Sequence, residues 1–105
     1  MANYYVTFRI HDKTVNNLTY EERYDRFLKN IRKEGQGFWT ETTSFLMVSS
    51  DLSTTAFSKG AVQGLSPQYD LVVVFDPTDM SACCFGKVDH FDVLKSFLPL
   101  IKKIG

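Results

Sequence analysis

The run Leu71-Val-Val-Val-Phe75, held between Asp70 and the pair Asp76-Pro77, constrains this chain more than any other stretch. Apolar residues in unbroken succession put hydrophobic side chains on both faces of a strand, so both faces need cover. Proline then stops the strand, because it has no amide to give a sheet ladder. A second segment makes the same demand. Between Phe45 and Ser49, Phe45 and Met47 share one face while Leu46 and Val48 share the other, which predicts a central strand covered on both sides.

The other elements follow from periodicity and caps. Tyr4, Val6, Phe8 and Ile10 alternate with Tyr5, Thr7, Arg9 and His11, giving a first strand with one apolar and one mixed face. Tyr20, Tyr24, Phe27, Leu28 and Ile31 then recur at helical spacing. Thr19 and Glu22 make a T-x-x-E capping box before that stripe, and Gly35 marks an expected stop. Glu21, Glu22 and Asp25 lie near the positive end of its dipole, Lys29, Arg32 and Lys33 near the negative end. A short strand from Phe38 to Glu41 connects through Thr42 to Ser44 into the Phe45–Ser49 strand. Ser53 is expected to cap a second helix carrying Phe57, Ala61 and Leu65, weakened by Gly60. "SACCFGKV" predicts a short strand. "DHFDVLKSFLPLIKKIG" predicts a final helix with Phe91, Leu94, Leu98 and Ile101 on one side, kinked or shortened at Pro99.

This order predicts an α+β fold: a ferredoxin-like β-α-β-β-α-β sandwich with a C-terminal strand and helix, forming one domain over residues 1–105. Two helices would cover one sheet face and leave the other open. Leu71–Phe75 would then lie at a sheet edge, where such residues invite association. The C-terminal segment, a second copy of the chain, or both must cover it. A symmetric homodimer is the expectation.

Composition narrows the function classes. Lysine and arginine number 12, as do aspartate and glutamate, so the formal charge is zero. Bulk electrostatic attraction to RNA or DNA gets no support from this balance, and nucleic-acid binding would need a local patch. The start "MANYYV" has no basic segment leading into a long apolar one, and no apolar run approaches the ~18 residues of a membrane span. A cytoplasmic location and no membrane partner are expected, which leaves the sequon at Asn17 without meaning. Cys83 and Cys84 are adjacent, would point to opposite faces of a strand, and cannot close a metal site by themselves. Buried, reduced thiols are expected. There is no phosphate-cradling glycine loop, nucleophile elbow or zinc spacing, so neither metal nor cofactor is expected.

The strongest chemical candidates stand where the first strand ends. His11 could act as a general acid or base, with Asp12 orienting it and Arg9 holding a phosphate. Neighbouring His and Asp side chains diverge in an extended chain, however, which favours a solvated loop. Asp89, His90 and Asp92 could form a metal cluster but suit the first turn of a helix better, as cap and dipole partner. Asp76 and Asp79 lie beyond a strand's carboxyl end, where ordinary turn chemistry is the simpler reading. Trp39, beside Phe38, could stack a base, though core or dimer contact is the plainer role. Tyr5, Arg9 and Trp39 are thus the candidate nucleic-acid contacts. Lys29, Arg32 and Lys33 are most simply a helix C-terminus.

A "YYVTFRI" first strand, a charged helix, "WTETTSFLMVSSDLS" running through a hairpin into a helix, and "DLVVVF" together carry a resemblance. The chain resembles the small nuclease-fold proteins related to the CRISPR adaptation endonuclease. It is similar also to SinR-family proteins and to the mRNA-cleaving antitoxin of type V toxin–antitoxin pairs. The resemblance spans Tyr4 to Phe75 and is closest at Ser49 to Ser53. It implies a ferredoxin-like domain that usually dimerises. The CRISPR-associated relatives have an aspartate at the end of the first strand, thought to hold a metal, and Arg9 stands there instead. Arginine has no lone pair to offer a cation. The reading is therefore a dimeric accessory or regulatory protein that binds nucleic acid or a protein without depending on a metal. The alternative is a metal-free endoribonuclease acting through Arg9, His11 and Asp12, with arginine stabilising phosphorane charge.

Overall fold

A computed structural model describes residues 1–105. It is an α+β fold with one six-stranded mixed sheet and three helices. The elements are β1 (Ala2–Arg9), α1 (Tyr20–Ile31), β2 (Phe38–Trp39), β3 (Phe45–Ser50), α2 (Thr54–Ala61), β4 (Leu71–Phe75), β5 (Ser81–Gly86), α3 (Phe91–Phe97) and β6 (Leu100–Ile104). The strand order is β2-β3-β1-β4-β5-β6, antiparallel throughout except for the parallel β5–β6 pair. No helix is long and apolar enough to cross a membrane.

The alternation in β1 fixes its faces. Tyr4, Val6 and Phe8, with Ile10 just beyond, are buried with Leu46 and Val48 of β3 and Val72 and Val74 of β4. Phe27 and Ile31 of α1 and Phe57 and Ala61 of α2 close over them. The capping box forms as the sequence implies: Thr19 Oγ accepts from the Glu22 amide, and Glu22 accepts from the Thr19 amide. The bond from the Thr19 amide, with the Thr19 hydroxyl as a second contribution, holds the Glu22 carboxyl below its ordinary range. Ser53 caps α2 by accepting from the Ala56 amide.

Several expectations are corrected. The last segment is not one long helix: α3 ends at Phe97, and Leu100–Ile104 is a strand paired with β5. Pro99 has no amide to continue the helix, and β5 offers a free edge to the residues after it. Leu71–Phe75 is no edge: of the candidates for its cover, the C-terminal segment takes the place, with β5 paired to it and β6 beyond. The position before α3 is His90, without a side-chain cap, so Asp89 does not fill that role. Finally, α1 stops at Ile31, short of Gly35, because the residues that follow bring no apolar side chain back to the stripe.

The second sheet face is divided. Over β4–β6, the α3 segment packs Phe91, Leu94 and Leu98 against Val73, Ala82, Cys84 and Ile101. Over β2, β3 and β1 no helix packs on it. The expectation that Phe45–Ser49 is covered on both sides therefore holds for Leu46 and Val48 and fails for Phe45 and Met47, which are half-buried. The helix that covers this face reaches only as far as Phe75.

Candidate functional site

The uncovered part of the sheet carries a row of large side chains set by strand register. Trp39 lies opposite Met47, Met47 opposite Tyr5, and Tyr5 opposite Phe75, so one residue from each of four neighbouring strands lies in line. With strands about 4.8 Å apart the row spans about 14 Å. Phe45 fills the gap beside it. Its ring meets Tyr5 edge-on at 6.0 Å between centroids and Trp39 at 6.5 Å, while Tyr5 meets Phe75 at 5.4 Å. Edge-to-face rings of this kind hold one another's orientation. The Trp39 indole is further fixed by donating from Nε1 to Glu41 Oε2 at 2.5 Å. All five of these side chains are half-buried.

Arg9 occupies the same face, four residues along β1 from Tyr5 and opposite Leu71. Its guanidinium is exposed and forms no salt bridge. Tyr5, Arg9 and Trp39, separated widely in sequence, thus share one surface.

The cluster Arg9, His11 and Asp12 behaves differently. No hydrogen bond joins any two of the three, and no cavity contains more than one of them. His11 stacks on Tyr69 at 5.0 Å. Asp12 is exposed in the loop.

What lies beneath this loop was not legible as a site. Arg23 is only 2% exposed and forms a buried salt bridge with Asp70. Asp70 also accepts from the backbone amides of His11 and Ser66 at 2.8 Å each, and Arg23 donates to the His11 carbonyl at 2.8 Å. The pair ties the end of β1 to α1 and to the start of β4. It is structural, since every group in it already has a partner. Gly86 closes the same corner: a Cβ there would stand 1.9 Å from the Asp70 carbonyl oxygen, so only glycine fits.

The largest cavity, about 620 Å³, lies elsewhere, beyond the carboxyl ends of β3 and β4. Tyr4, Ser50, Thr54, Asp76, Asp79 and Ser81 line it and satisfy one another or nearby backbone. Tyr4 Oη donates to the Leu52 carbonyl at 2.6 Å, Thr54 and Ser81 hydroxyls meet at 2.5 Å, and Asp76 accepts from the Thr78 amide. Ser81 donates to Asp79 from both hydroxyl and amide, holding that carboxyl below its ordinary range. Burial pushes the Tyr4 phenol up. Asp76 and Asp79 thus do the turn chemistry expected of them. Cys83 and Cys84 are both buried free thiols. They face opposite sides of β5, Cys83 toward Thr55 of α2 and Cys84 under α3. Asp89, His90 and Asp92 are exposed, and no three His, Cys, Asp or Glu side chains converge in metal-binding fashion anywhere.

No protein-family model, no curated protein and no solved structure matches the chain.

Proposed function

We propose that this chain is a ferredoxin-like accessory or regulatory protein that binds single-stranded nucleic acid across the open part of its sheet, with no metal in the contact. The observation that carries the reading is the row Trp39–Met47–Tyr5–Phe75, with Arg9 on the same face. Four-stranded sheets with outward aromatic side chains stack two or three bases, and each stacked base contributes about 1–3 kcal/mol. Two helices on the opposite face and the order β2-β3-β1-β4 support the ferredoxin-like part of the reading. The same order agrees with the resemblance to the adaptation-nuclease-like proteins.

The charge pattern sharpens the expectation. Arg9 is the one cation on the β1 part of this surface, and the whole chain is neutral. Binding would therefore rest on stacking, with a slope of log affinity against log salt no steeper than about one. Fluorescence anisotropy of labelled single-stranded RNA and DNA oligonucleotides, titrated over a salt series, tests this. Binding with a shallow slope, weakened about tenfold in Tyr5→Ala, is the expected result. No binding at low salt would remove the proposal.

A second copy of the chain is the competing occupant, because Met47, Phe45 and Phe75 would also suit a dimer contact. Solution mass at binding concentrations separates the two, since a dimer built through this face would be disrupted by oligonucleotide. The endoribonuclease reading gains no support from a single chain, where Arg9, His11 and Asp12 stand apart.

A further inference from the structure

Next to the aromatic row runs a second row of small polar residues. Gly37 lies across from Ser49, whose amide donates to the Gly37 carbonyl at 2.9 Å, and Ser49 lies across from Asn3. The sheet surface drops where one row gives way to the other. The result is a notch of about 230 Å³ with Tyr5, Met47 and Trp39 as its wall and Gly37, Ser49 and Asn3 along its floor.

Two details make it more than a gap between side chains. The first is that residue 37 has no side chain beside the floor: a Cβ there would sit 3.1 Å from Ser49 Oγ, a tight contact that the serine would have to give way to. The second is that the polar floor is oriented. Ser49 donates its hydroxyl proton to Asn3 Oδ1 at 2.7 Å, which engages the Asn3 oxygen and leaves the amide nitrogen with its two protons as the donor. A flat ring with a hydrogen-bond acceptor on its edge matches an apolar wall beside the single amide donor of Asn3.

We infer that this notch receives a single nucleobase, edge toward Asn3 and ring against the Tyr5–Met47–Trp39 wall, and so gives the open face a base preference. The inference rests on the nucleic-acid reading of that face and adds selectivity, which stacking alone does not supply, because every base has a stackable face. Asn3 is then the reading residue and Gly37 the one that keeps the floor low.

Anisotropy titrations with short labelled homopolymers of each of the four bases test it, using the full chain and the variants Asn3→Ala and Gly37→Ala. Denaturation midpoints verify that each variant is folded. The wild type should favour one homopolymer over the weakest by about tenfold, in line with one good base contact. Both variants should lower the favoured affinity toward the weakest and leave the weakest unchanged. Equal wild-type affinities for all four, or a preference that survives both variants, would overturn the pocket while the stacking surface stood. Absence of binding to any homopolymer would overturn both.

Discussion

The two faces of β1 are made from the same strand and treated in opposite ways. Tyr4, Val6 and Phe8 are packed under α1 and α2, with Val6 fully buried at 0% exposure. Tyr5 is half-buried, and Thr7 and Arg9 are exposed. The contrast does not come from polarity alone, since Tyr5, Phe45 and Met47 are as hydrophobic as much of what α1 covers. It comes from the reach of α3, which covers Val73, Ala82 and Cys84 on this second face and stops at Phe75. Apolar side chains left in line beside that boundary add nothing to the core. This half-buried row is the surface on which the nucleic-acid proposal rests.

The comparison breaks most severely at the Arg23–Asp70 pair on the covered side. Asp70→Ala leaves a buried guanidinium without its partner and two amides without an acceptor, so it should cost about 3–5 kcal/mol. Urea unfolding measures it, and a loss below about 1 kcal/mol would show that Arg23 finds solvent easily. Packing comes next. Phe27→Ala, with its ring at 0% exposure, should cost about 3–5 kcal/mol. Tyr5→Ala loses only cross-strand ring contacts and should cost less than about 1 kcal/mol. Similar penalties for the two would mean that the open face is part of the core after all.

The smallest effect reads the α3 cover itself. Burial pushes the Cys84 thiol up, so little thiolate exists at neutral pH, and the folded protein should resist alkylation by iodoacetamide. Leu98→Ala thins the contact over Cys84 without touching Cys83 on the other face. Mass spectrometry should then find Cys84 modified ahead of Cys83. The reverse order would show that α3 is not what shields this half of the sheet.

Much of the fold is legible in local pattern. The alternation from Tyr4 to Ile10, the Thr19–Glu22 box, the Ser53 cap and the Asp76–Asp79 turn each depend on residues close in sequence, and each forms as read. The last segment misled because Leu94, Leu98 and Ile101 fit one helical face, yet Ile101 faces the same apolar cluster from a strand. Periodicity cannot tell those two apart across a proline. Arg23 gave no local signal, since its partner Asp70 is 47 positions away.

The candidate surface divides in the same way. The sequence determined by itself which residues share a face of each strand, because successive side chains alternate by covalent geometry. That is why Tyr5 and Arg9 could be grouped, and Phe45 with Met47. It could not say that Trp39, Met47, Tyr5 and Phe75 stand in line, that Gly37 opens a notch against Ser49 and Asn3, or that α3 stops short of them. Those follow from strand order and register, which are set by packing between distant segments and exist only once the sheet is assembled.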